Sequence, residues 1–203
     1  MDGSFVTTTA ELDALYGEPS PASIAKETDR LTPAYRALVE ASPFVLLATV
    51  GPDGPDCSPR GDAPGFVRVA DDRTLLMPDR RGNNRLDTLR NLTLDPRLGL
   101  LFVVPGLGET LRVRGTARIS LDEALCASFA VDGRAPRSVI VVAIETVFFQ
   151  CSRAVVRAGL WDTSARPAGL PTPGAMLAQA SDGRVGGADY DAGLAERVRT
   201  TLY

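Results

Sequence analysis

A mainly β fold with peripheral helices, built as a small closed or nearly closed antiparallel barrel, is predicted by three features of the 203-residue sequence. Six or seven segments of strand length, most of them apolar or alternating, lie between Phe44 and Phe149. Gly- and Pro-bearing turns of a few residues separate them. Most gaps between Phe44 and Arg118 are also far shorter than the dozen or more residues a parallel crossover takes, which disfavours a doubly wound parallel sheet. With 44% apolar and 23% charged residues the profile is that of a soluble globular protein. A chain this long buries roughly 70% of its unfolded surface and needs no disulfide or structural metal.

Residues 1–31 are polar and weakly periodic and read as an N-terminal arm, with a short helix at Ala10–Tyr16 and a break at Glu18–Pro21. Thr32 and Pro33 suit an N-cap and a first helical position, so Pro33–Ala41 is predicted helical. The run Phe44–Val50 reads as a buried strand, closed by turn residues Gly51–Gly54, and residues 55–60 as its hairpin return. Gly65–Ala70 and Thr74–Met77 follow as strands around a turn at Asp71–Arg73. Leu86, Leu89 and Leu92 recur at helical spacing, so Asn83–Leu94 is predicted as a helix with Asn at its cap. Leu98–Val104 returns to strand, and Glu109–Ile119 alternates, with Leu111, Val113, Gly115, Ala117 and Ile119 on one face. A helix after Ser120 over Leu121–Phe129 and a long β-branched strand over Ser138–Phe149 complete the domain, drawn at 32–162. Residues 163–203 form a Gly-, Pro- and Ala-rich extension, expected to pack on the barrel or on a partner subunit. It carries a short helix near Gly174–Ala180 and a last one from Asp189 onward.

The absence of histidine excludes Ser-His-Asp and Cys-His catalysis, HExxH zinc sites and histidine-ligated haem or iron. Lys26 is the one lysine, and no GxxxxGK motif surrounds it. Three cysteines, Cys57, Cys126 and Cys151, show no CxxC spacing, and Met1–Ala10 lacks a charged-then-apolar leader, so free thiols and a cytoplasmic location are expected. Cys57 reads as a small apolar packing residue, because no histidine exists to activate it. No apolar run reaches the roughly 20 residues that span a bilayer, so no membrane partner is expected. A net charge of -3 with no basic tail argues against nucleic acid.

Chemistry concentrates in three places. Pro78-Asp79-Arg80-Arg81-Gly82-Asn83-Asn84-Arg85 sits where a strand ends and a helix is predicted to begin, a junction whose free N–H groups and positive dipole favour phosphate. Arg81 and Arg85 add forked donors and Gly82 allows close backbone approach. The same residues also read as a solvated turn before a capped helix. Cys57-Ser58-Pro59-Arg60-Gly61-Asp62 ends a hairpin strand and either approaches a ligand held at that junction or carries a surface Arg60–Asp62 pair. Trp161, near Arg153 and Arg157, reads either as a flat wall for an aromatic ring or as a core residue, and the arginines at 112, 114 and 118 read as a solvated face.

The order of the segments TVGPDGPDCSPRGD, GFVRVADDRTLLMPDRRGNNRLDTLRNL, DPRLGLLFVVPG and ETLRVRGTARI resembles the pyridoxamine 5′-phosphate oxidase-like flavoproteins, and FFQCSRAVVRAGLWD resembles the C-terminal part of one bacterial subgroup. The resemblance implies an FMN-binding split β-barrel and a homodimer with one FMN per subunit at the interface. It places Ser58, Pro59 and Arg60 along the flavin and its ribityl phosphate, Pro78 and Asp79 beside the ring, and Arg81, Asn83, Asn84 and Arg85 at the phosphate. Arg85 stands where the family usually has a lysine. Thr110 is implied as a polar flavin contact and Trp161 as a residue reaching the cofactor from the partner subunit. The Arg-x-His substrate signature of the vitamin B6 oxidase is missing, so pyridoxine 5′-phosphate is not the expected substrate, and the haem-degrading branch is disfavoured for want of a histidine. An FMN-dependent oxidoreductase is the first expectation. A non-catalytic flavin carrier or sensor, and a deazaflavin-dependent reductase of the same fold, are the alternatives. No catalytic acid or base and no metal ligand is assigned.

Overall fold

The run FVLLATVG places Val45, Leu47 and Thr49 on one buried face and forms strand β1 over Phe44–Gly51 in the computed structural model, which describes residues 5–165 and 168–203. The first four residues of the expected arm thus lie outside the described part. Six more strands follow: β2 Gly54–Gly61, β3 Arg68–Asp71, β4 Thr74–Pro78, β5 Arg97–Val103, β6 Thr110–Ser120 and β7 Val139–Gln150. They form one sheet in the order β2-β1-β5-β6-β7-β4-β3, with every neighbouring pair antiparallel. The edges β2 and β3 are not paired with each other, so the curled sheet is open, a split barrel rather than a closed one.

The longest ladder, β6 with β7, runs from Thr110 opposite Gln150 to Ser120 opposite Val139, with a register shift at Arg114/Gly115. Glycine is required at that shift: a Cβ on Gly115 would lie 2.0 Å from the Ala143 carbonyl oxygen. The core fills the concave face, with Leu47, Leu75, Met77, Leu100, Phe102, Leu111, Val113 and Ile140 fully buried. Helices α3 (Pro33–Ala41) and α4 (Asp87–Leu94) cover it, through Tyr35 and Val39 from the first and Leu92 from the second. Asn91 of α4 donates through Nδ2 to the buried Thr49 hydroxyl of β1 at 3.1 Å. Helix α5 (Glu123–Ser128) makes a smaller cluster in which Cys126 and Phe129 pack on Val139.

Several boundaries differ from expectation for identifiable reasons. Helix α4 begins at Asp87 rather than Asn83, because Asn84 (φ 59°) and Leu86 (φ 62°) take left-handed conformations that a helix cannot propagate through. Instead of capping, the Asn83 carboxamide oxygen accepts the Arg85 N–H at 3.1 Å. Strand β3 starts three residues late, since Gly65 (φ 82°) belongs to a turn. Helix α5 is capped by Asp122, whose carboxylate accepts the Leu125 N–H at 2.7 Å, and not by Ser120.

Cys57 is exposed, contrary to its reading as a packing residue: the pleat of β2 turns it outward and sends Asp56, Ser58 and Arg60 to the opposite face. Helices α1 (Thr9–Tyr16) and α2 (Pro21–Ala25) in the arm, α6 (Arg153–Ala158) at the end of the domain, and α7 (Pro173–Ala180), α8 (Ala188–Ala192) and α9 (Leu194–Thr201) in the extension are more numerous than the sequence pattern predicts. The expected last helix is interrupted at Gly193, glycine being a poor helix former. Among the described residues no helix is long and apolar enough to cross a membrane.

Candidate functional site

The open edge of the sheet makes the site. Edge strand β2 faces the segment that leaves β4, and between them lies a cleft of about 850 Å³ whose walls include Asp56, residues 58–61, 79–89 and 134–137, and Tyr203. A buried ion pair helps tie the two sides together. Arg80 Nε donates to Asp62 Oδ2 at 2.6 Å, with the side chains only 16% and 4% exposed. Arg80 Nη1 also donates to the Phe129 carbonyl at 2.7 Å, so this guanidinium is braced by the chain itself.

On the β2 wall, the Arg60 guanidinium donates through Nη1 to the Ser58 hydroxyl and to the Pro59 carbonyl, both at 3.0 Å. The Ser58 hydroxyl is in turn 3.0 Å from that of Thr88, a buried residue of α4. Among the described residues, the buried Arg60 Nε has no hydrogen-bond partner. A charged donor left unsatisfied in this way costs more than 1 kcal/mol, of order 1–3, unless something else accepts from it. On the facing wall, Arg81 through Asp87 are exposed. Among the described residues, the backbone N–H groups of Gly82, Asn83 and Asn84 donate to nothing. Arg85 Nε is paired with Asp87 Oδ2 at 2.7 Å on the surface.

The charge balance points to an anion. Arg60, Arg80, Arg81, Arg85, Arg134 and Arg137 line the cleft against the carboxylates of Asp56, Asp79 and Asp87. Two carboxyl groups here are shifted in opposite senses. Burial pushes Asp79 up from the ordinary aspartate value, an effect the nearby Arg60 charge only partly offsets. Burial also pushes Asp62 up, but hydrogen bonds from the Tyr203 hydroxyl, the Ala63 N–H and Arg80 outweigh it and hold Asp62 below the ordinary value.

Eight of the sequence-designated residues meet at this cleft: Ser58, Pro59, Arg60, Asp79, Arg81, Asn83, Asn84 and Arg85. Pro78 is buried at the end of β4, directly behind Asp79. Thr110 and Trp161 lie elsewhere. Thr110 opens β6 opposite Val103, which pairs through Phe44 with Gly61, three ladder steps or about 14 Å from β2. Trp161 is half-buried, its indole N–H donating to the Leu107 carbonyl at 2.7 Å. The amide donors come from a loop with two left-handed residues, and not from a first helical turn as the spacing predicts. Thr88, Arg134, Arg137 and Tyr203 were not anticipated. The doubled arginine of GRAPR was the available signal for two of them.

Residues 31–151 match the family model described as pyridoxamine 5′-phosphate oxidase. No curated protein matches the chain significantly. Among solved structures, the Group A Streptococcus protein HupZ is similar at 22% identity over 60% of this chain and 95% of that one, with a TM-score of 0.50. An F420 reductase is similar at 20% identity over 59% and 98%, with a TM-score of 0.42. A FAD-binding protein of Mesorhizobium loti is similar at 17% over 61% and 96%, with a TM-score of 0.42. At these identities the likeness is one of fold alone.

Proposed function

The chain belongs to the pyridoxamine 5′-phosphate oxidase family, and from that premise we propose that it is an FMN-binding oxidoreductase that works as a homodimer on a substrate other than pyridoxine 5′-phosphate. The observation that carries this reading is the buried, unpartnered Arg60 Nε in a cleft where arginines outnumber carboxylates. A phosphate monoester supplies the acceptors that this donor, Arg81 and the free amides of the 82–84 turn lack. The donor set therefore fits the phosphate end of a flavin nucleotide.

In this reading Ser58, Pro59 and Arg60 border the ribityl chain, and Arg81, Asn83, Asn84 and Arg85 hold the phosphate. Pro78 and Asp79 stand beside the ring. FMN, when bound, supplies the redox chemistry, and the protein orients it and shapes its surroundings. Thr88 fixes the Ser58 hydroxyl, and Ser58 fixes Arg60, so the β2 wall is set before any ligand arrives. Asp79, partly withdrawn from water, holds its proton more readily than a surface aspartate. Thr110 and Trp161 lie away from this cleft within one chain, and on this reading Trp161 reaches the flavin of the partner subunit across the dimer. Free cysteines, two of them exposed, fit a reducing cytoplasm.

The test is a fluorescence titration of the apoprotein with FMN, riboflavin and a deazaflavin. FMN is expected to bind at least about 100-fold more tightly than riboflavin, since charged contacts to the phosphate are worth about 1.5–3 kcal/mol each. Equal affinity for FMN and riboflavin would remove the phosphate assignment, and preference for deazaflavin over FMN would transfer the reading to a deazaflavin-dependent reductase. Flavin bound tightly with no turnover of any donor would leave a carrier or sensor.

A further inference from the structure

The wall of the cleft that no designated residue forms is made by Tyr203, which meets Asp62 from 141 positions away in the chain. Its hydroxyl donates to Asp62 Oδ1 at 2.7 Å. Its carbonyl accepts from Arg134 Nη1 at 3.0 Å. Its ring lies 5.5 Å from the Arg80 guanidinium, which donates to Oδ2 of the same Asp62. One tyrosine thus occupies two of the arginines that line the cleft.

The segment that delivers it is otherwise weakly held. Helix α9 buries none of its residues, and Leu202 is exposed. Among the described residues, the hydrogen bonds from residues 194–203 to the domain of residues 32–162 are the two at Tyr203. An element with little buried surface and a few terminal contacts opens far more readily than the core it covers. The anchor is the reverse: Asp62 is nearly buried and locked to Arg80 and to the Ala63 N–H at 2.7 Å, so it stays in place when the segment moves.

We propose that residues 194–203 are a strap across the cleft, latched by Tyr203 on Asp62, which must release before an anionic flavin enters or leaves. The inference rests on the flavin reading above. A latch bound to protein groups alone has no differential contact with the ligand, so it slows entry and exit together and leaves the equilibrium affinity almost unchanged. A residue that touched the flavin directly would instead alter the affinity, chiefly through the dissociation rate.

The experiment is stopped-flow FMN binding and release, read by flavin fluorescence, for the wild type, Tyr203→Phe and Tyr203→Ala. Trypsin cleavage after Arg197 and Arg199 is followed in parallel to report the strap itself. Tyr203→Ala is expected to raise association and dissociation rates together by about tenfold, with the dissociation constant within about threefold of wild type. It is also expected to speed cleavage in α9. Tyr203→Phe, which keeps the ring and the fold, falls between. A faster dissociation with unchanged association would make Tyr203 a flavin contact and overturn the latch. Unchanged rates in both variants would overturn it while leaving the flavin reading intact. Failure of the wild type to take up FMN would remove that reading and the strap's role together.

Discussion

Arg60 is where the local account is most exposed to test. Its Nη1 is spent on Ser58 and Pro59, while its buried Nε awaits an acceptor. Replacing Arg60 by Ala is expected to weaken FMN by roughly 10- to 100-fold and riboflavin by much less, measured by the same titration. The two shifted aspartates give stability effects of opposite sign. Asp62 has a lowered folded pKa, so its contribution is fully present above its unfolded value, about 3.9, and is lost as pH falls through the folded value. Removing its charge in Asp62→Asn leaves Arg80 without its carboxylate and is expected to cost roughly 3 kcal/mol at pH 7, by denaturant unfolding. Asp79 is raised, so its contribution is greatest below the unfolded value and is lost as pH rises through the higher folded one. Asp79→Asn is therefore expected to stabilise the apoprotein at pH 7, and a loss of stability there would contradict the desolvation argument. The arginine–asparagine run was legible in sequence because its members are contiguous. Thr88, Arg134 and Tyr203 were not, because each joins the cleft only through long-range contacts, the Tyr203–Asp62 pair spanning 141 positions.

At the scale of elements, period-two alternation identified β6 almost to the residue, since one face is buried and the other is not. Helix α3 was equally legible, from a Thr cap and a Pro at its first position. The start of α4 was misread because asparagine serves both as a helix cap and as a residue tolerant of left-handed backbone. Leu86 in that conformation has no such tolerance, and it is largely exposed. Leu86→Asn is expected to raise stability by about 1 kcal/mol, read from thermal unfolding, by relieving left-handed strain. A loss would mean that Leu86 packs on something essential. In β6, Gly115→Ala forces a Cβ toward the Ala143 carbonyl, and a cost above about 2 kcal/mol is expected. A wild-type unfolding curve would show that the sheet can slip its register there.

For the whole molecule, antiparallel pairing and the short turns fixed the fold class, while openness of the sheet depends on β2 and β3 failing to meet, a tertiary fact that no local pattern encodes. The free edge strand β2 is also one wall of the cleft, so the open sheet leaves that edge available to the candidate site. Thr110 and Trp161 stand apart from the cleft in a single chain. On the dimer reading, Trp161→Ala is expected to weaken FMN although it touches none of the cleft walls of its own chain. Unchanged FMN binding, with a monomer in sedimentation, would count against a shared site. Whether this cleft holds a flavin nucleotide is tested by the visible absorption spectrum of the purified protein, with identification of whatever denaturation releases. A yellow protein releasing FMN in a ratio near one per chain is the expected result, and a colourless protein that takes up no flavin nucleotide when it is supplied would contradict it.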